Sequence, residues 1–268
     1  MKKISLLMKI RQSITNLTKS TPHFINQKVI KDNNFFKFSY SIIKQSLLAL
    51  IICAIGDLCA GLILGNMTSY LAAWPGLLTL VPGAIGMRGN IFGSFGSRLG
   101  TDLNIGMLPP KIEKSKILSQ NIISSMILTM TLSICLAFIT KILCVIFNLP
   151  SMSIFDFILI SFFAGLISSV IMLPLSMLIS LKSFQHGWDP DNITTPLIAA
   201  FGDLFTLPSI ILSVLLLSSF HNITVLRNII AILAVIIAII GICYGFKSND
   251  KVGTIVKQST PVLFICSI

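Results

Sequence analysis

The chain reads as an all-α, polytopic membrane protein: a five-span domain, a sixth connecting span and the start of a second, parallel repeat. Three observations predict this. Of its 268 residues, 54% are hydrophobic and 11% charged, with a mean hydropathy of +0.91, values that exclude an ordinary soluble domain. The apolar runs are continuous rather than alternating at period two, which selects helices over a barrel. Residues 255–268 also echo residues 42–55, with eight of fourteen positions identical, including Lys44/Lys257, Gln45/Gln258, Ser46/Ser259 and Cys53/Cys266.

From the N-terminus, residues 1–44 carry nine Lys/Arg and one acid, Asp32, which marks a basic tail on the cytoplasmic side. Ile4 to Ile10 is too short for a signal peptide and is interrupted by Lys9. A spanning helix needs about 20 mainly apolar residues. The expected spans are 46–66, 71–97, 117–148, 152–181 and 193–219, forming a domain over 45–220, with a connecting span at 224–246 inside 221–250. A seventh apolar stretch begins near 259, within a segment 251–268 that reads as the truncated start of the second repeat. Threaded this way, Arg98, Lys111, Lys114, Lys116, Lys182, Lys247, Lys251 and Lys257 fall inside, and only Lys141 and Arg227 lie on the outer side. The net charge of +11 therefore follows the positive-inside rule, suits contact with anionic lipid and is not read as a nucleic-acid surface. Because five spans are odd in number, the sixth is needed to bring a second copy back in the same orientation.

Polar residues interrupt the hydrocarbon at three places. Asp203 lies in an apolar run, seven residues after Pro196, which is itself seven after Asp189. Seven residues is close to two helical turns, so Pro196 and Asp203 share a face. A carboxylate at that depth costs about 2.5–3.5 kcal/mol on insertion scales, and such residues mark ion pathways. Asp57, after Gly56, lies about 18 Å along a helix begun near Gln45, at a depth similar to that of Asp203. Two carboxylates at one depth suit a hard cation such as Mg²⁺, which takes oxygen ligands and keeps several waters; backbone donors or Arg88 are the alternative partners for such an Asp. The third place is the glycine series Gly83, Gly86, Gly89, Gly93, Gly96 and Gly100, with Arg88 and Asn90 among them and Pro82 expected to loosen the helix near Gly83. Close helix packing alone explains such a stripe; Arg88 and Asn90 go beyond it. The six cysteines contain no CxxC pair and read as small buried hydrophobes. No P-loop, GxSxG or zinc spacing is present, so enzyme chemistry and a bound cofactor are not expected.

These residues resemble the membrane domain of MgtE-type magnesium transporters and their animal solute-carrier relatives. The resemblance rests on PGLLTLVPGAIGMRGNIFGSFGSRLGTDLNIG at 75–106, on the Asp189, Pro190, Pro196, Asp203 spacing and on the five-span count, and covers about 42–219. It implies a five-span transporter domain in the cell membrane, with Mg²⁺ or another hard divalent cation as the transported ion. It further implies Asp203 as the ion-binding residue, Gly89 and Asn90 beside the pore, Asp189 and Pro190 shaping the cytoplasmic mouth, and two domains paired in parallel. The partner would be a second copy, forming a homodimer, or a second half-transporter chain; the runner-up is a non-conducting half-transporter or fragment. The tail is too short for the soluble regulatory and nucleotide-binding modules of the bacterial members. Hard oxygen ligands disfavour Cu and Zn and admit Mn²⁺ and Co²⁺ alongside Mg²⁺.

Overall fold

The computed structural model describes residues 34–111, 113, 115–187, 193–219 and 224–266. The described residues form eight helices and no strand: α1 (Asn34–Asn66), α2 (Thr68–Ala73), α3 (Leu77–Asn104), α4 (Lys116–Ile146), α5 (Ile154–Gln185), α6 (Thr195–Ser219), α7 (Thr224–Lys247) and α8 (Lys251–Cys266). The chain divides into two units, residues 1–44 and 45–268. Of the first, only the helical backbone from Asn34 is described. All contacts below lie in the second.

Five helices are long and apolar enough to cross a membrane: 46–66 of α1, and α4, α5, α6 and α7. The chain is thus a multi-pass membrane protein. α3 falls short on composition, but its 28 residues reach about 42 Å, enough to span. Its composition follows from its position. α3 packs against α4, α5 and α6 at the centre of the bundle, so it meets protein rather than lipid. Leu80, Val81, Ala84, Met87, Ile91 and Phe92 on α3 are fully buried with Leu128 and Leu132 of α4 and Phe157 and Ile160 of α5.

The second span starts later than the expected 71–97. The chain turns at Gly76, whose φ of +83° lies in the left-handed region that favours glycine, and a Cβ there would sit 2.8 Å from the Phe157 ring. The loosening expected at Pro82 does not occur: α3 runs through it unbroken. Pro82 is the sixth helical residue, so only one early backbone bond is lost.

Side-chain caps define two helix starts. Ser115 Oγ accepts from the Leu118 amide at 3.1 Å, and Ser153 Oγ accepts from Asp156 N at 3.2 Å while donating to Asp156 Oδ2 at 2.8 Å. Asp156 also meets Arg227 of α7, with Nη2 and Oδ1 2.9 Å apart in a buried ion pair. That contact is misaligned for a hydrogen bond, since Oδ1 has no donor in line. Lys141 on α4 reaches out to Ser151 Oγ at 2.8 Å and the Met152 carbonyl at 2.9 Å, keeping its charge off the apolar helix face.

At the other end, Lys251 at the start of α8 clamps Asp102 of α3 with contacts of 2.5 and 2.6 Å, and Asn121 of α4 donates to Asp102 Oδ2 at 3.0 Å. Beside them, Asp250 accepts from Ser248 Oγ and, at 3.0 Å, from Gln120 Nε2 of α4. These bonds, that from Ser248 foremost, hold the Asp250 carboxyl below the usual carboxylate range. A depressed carboxylate contributes stability above its unfolded pKa of about 3.9 and loses it as pH falls through the lower folded value. Acidification below about pH 4 is therefore expected to destabilise the wild type more than Asp250→Asn, measured as the difference in melting temperature across pH.

Candidate functional site

The site lies on α6, which packs along α3 and meets α1 at two points. α3 and α6 meet through glycine: a Cβ on Gly202 would lie 3.4 Å from Gly89 Cα and 3.5 Å from Gly89 N. Gly89 is buried, and a Cβ there would lie 3.8 Å from Asp203 Oδ1 and from Ala199. The absence of side chains at 89 and 202 thus brings two backbones to within about a methyl group of each other and leaves the Asp203 carboxylate against a smooth wall. Further along α3, Gly93 and Gly96 face Thr195 and Ile198 of α6, so this part of the glycine stripe serves packing. Gly202→Ala should be close to neutral, because its added Cβ would meet Gly89 at 3.4–3.5 Å, ordinary van der Waals contact. Gly86→Ala, with nothing within 4 Å of its Cβ, should be neutral or stabilising. Thermal unfolding in detergent measures both.

On its other side α6 meets α1. The Cys53 thiol donates to the Pro196 carbonyl at 3.2 Å, and a Cβ on Gly56 would lie 3.5 Å from the Ala200 Cβ. The pairs 53/196 and 56/200 run in parallel register. Asp57 is one residue beyond the second contact and Asp203 three, so the carboxylates differ in depth by about 3 Å. They are near enough to act on each other electrostatically, and both act on Cys53. Asp203 is half-buried and Asp57 exposed. Among the described residues neither has an ion pair or hydrogen-bond donor; the ion pairs found there are Arg227–Asp156 and Lys251–Asp102.

Arg88, an alternative partner for Asp203, points elsewhere: it is fully buried and donates from Nη2 to the Ser161 carbonyl of α5 at 3.3 Å. Asn90 is exposed on α3, and Pro196 is half-buried with its carbonyl engaged by Cys53. Asp189 and Pro190 lie outside the described residues. Gly89, Pro196, Gly202 and Asp203 therefore come together, with Asp57 approaching from α1. Cys53 was missed, although its place one helical turn before Asp57 signals a shared face. Among the described residues no group of three or more His, Cys, Asp or Glu side chains is arranged to hold a metal ion. One chain brings two carboxylates to this position.

A bundle of membrane-crossing helices defines a polytopic membrane protein, here with two carboxylates that lack a cationic partner among the described residues. The family model MgtE, described as divalent cation transporter, matches residues 81–214, half of the chain, and the chain belongs to this family. Solute carrier family 41 member 3 of Mus musculus is 29% identical over 175 residues, 61% of this chain and 34% of its own. Solute carrier family 41 member 2 of Gallus gallus is 27% identical over 175 residues, 61% of this chain and 29% of its own. The human member 2 has the same identity and coverage. The chain thus spans about a third of the length of the curated relatives it matches. No solved structure matches it.

Proposed function

We propose that this chain carries a hard divalent cation, Mg²⁺ foremost, across the cell membrane, with Asp203 holding the partly hydrated ion. The observation that carries this reading is a half-buried carboxylate deep in α6 with no cationic partner among the described residues and a second carboxylate close by. A carboxylate in that setting calls for a positive charge, and a mobile one fits a family of divalent cation transporters. Mg²⁺ is commonly held by one or two carboxylates while keeping its waters, which suits a shallow, glycine-walled position better than a closed cage.

In this reading the ion rests between Asp203 and the Gly89 wall, and Asp57 draws cations toward it from the α1 side. A second domain supplies the opposite wall, either a further copy of this chain or a chain carrying the remaining spans. Residues 251–268 mark the start of the second repeat, residues 1–44 lie in the cytoplasm, and Asp189, Asn90 and Pro196 line or shape the approach. The membrane potential drives inward movement, contributing about 2.3 kcal/mol per charge per 100 mV and twice that for a divalent ion.

The test is uptake into liposomes reconstituted with the purified chain, read by a Mg²⁺-sensitive dye at imposed potentials. Uptake that grows with inside-negative potential is expected. Its absence from the chain alone, with recovery on adding a second chain, would favour the half-transporter. No uptake under either condition would overturn the proposal.

A further inference from the structure

Arg88 is not accounted for by cation transport. It is 0% exposed, and among the described residues its Nε and Nη1 have no hydrogen-bond partner. Its one bond, from Nη2 to the Ser161 carbonyl, is long at 3.3 Å. An arginine presents five N–H donors, no acceptor, and a charge it keeps at all ordinary pH values. Leaving such a group buried and unpaired is among the costliest arrangements a protein can hold.

The surroundings offer two hydroxyls that can donate alongside Arg88, and among the described residues no carboxylate pairs with it. Ser161 Oγ is buried and unpartnered, and so is Ser133 Oγ of α4. One turn along α5 from Ser161, Gly165 lets α4 pack closely enough to bring Ser133 against α5: a Cβ there would lie 2.7 Å from Ser133 Oγ. The nearest acid in sequence on α5, Asp156, is already paired with Arg227. Asp203 cannot serve in this arrangement, because Arg88 extends toward α5 whereas Asp203 lies against Gly89 on α6.

We propose that Arg88, Ser161 and Ser133 form a binding site for a small monovalent anion of the halide class, buried between α3, α4 and α5. A halide accepts from several N–H and O–H donors at once and needs none in return. Its single charge matches the guanidinium and is cheaper to dehydrate than sulfate or phosphate. A water molecule could accept the same bonds but would leave the charge uncompensated. The anion thus sits behind α3, on the side away from the cation, and fixes α5 against the helix that carries Gly89.

The experiment uses the full chain in detergent at constant ionic strength, replacing gluconate with chloride or bromide and recording the melting temperature. A saturable rise with either halide is expected for the wild type, together with a bromide anomalous-diffraction peak beside Arg88. Arg88→Gln should abolish the dependence. Ser161→Ala, which keeps the charge, should raise the half-saturating chloride concentration about tenfold, the effect of one hydrogen bond to a charged group. Should Arg88→Gln not fold, the wild-type titration and Ser161→Ala decide alone. No halide effect on the wild type would mean that water alone occupies the site; an effect unchanged in Ser161→Ala or retained in Arg88→Gln would mean that the halide acts elsewhere. Either result overturns the proposal. Cation uptake is not among these readouts, so this site and the Asp203 site stand or fall separately.

Discussion

Asp203→Asn is expected to abolish cation uptake while leaving the protein folded. A unit charge about 4 Å from a carboxylate gains roughly 4 kcal/mol at an effective dielectric constant of 20, and a divalent ion gains more. Losing even 4 kcal/mol weakens binding about a thousandfold. The amide keeps the size of the side chain, so the contact at Gly89 is undisturbed. Because the wild-type carboxylate has no partner among the described residues, removing its charge should leave the melting temperature unchanged or raise it. That combination, uptake lost and stability kept, separates an ion-binding residue from a structural one. Asp57→Asn should give a milder defect, since Asp57 is exposed and lies across α6 from the Gly89 wall. Uptake by Asp203→Asn within a few-fold of wild type would remove Asp203 from the ion path.

The largest loss of stability is expected for Asp156→Ala, at about 3–5 kcal/mol. The substitution strands Arg227, which is 8% exposed and whose Nε is already without a partner. It also takes from Ser153 the acceptor that fixes its capping hydroxyl. The ion pair ties α5 to α7, so thermal unfolding in detergent should show an earlier transition. Replacing both partners, Asp156→Leu with Arg227→Met, should recover most of the loss, because a buried pair exchanged for apolar side chains is often neutral. Full stability in Asp156→Ala alone would show that Arg227 finds another partner.

Much of this was legible in the sequence for plain reasons. Lipid demands long apolar helices, so α4, α5, α6 and α7 could be placed to within a few residues. The central helix was harder to delimit: α3 is rich in glycine because it faces other helices, and its start depends on the backbone turn at Gly76. Asp203 stood out because charge is costly in hydrocarbon, whereas Gly89 was set beside the pore only by the family resemblance, the glycine stripe itself pointing to no more than close packing. The direction of Arg88 was not legible, because a helical position fixes a face and not which of two neighbouring helices the side chain reaches. The place of Cys53 was hidden for another reason: a thiol passes for an apolar group until its neighbours are known.

The glycine contact between α3 and α6 also has a mechanical meaning. Two backbones that approach this closely, with no side chain between them, have nothing that can swing aside to make room. The surface behind Asp203 therefore behaves as a fixed anvil. On the opposite flank, α1 touches α6 through a thiol and a methyl group, contacts that slide at little cost. Any change in bore around the ion then falls to the α1 side, and stiffening that seam would slow transport without touching a charged residue.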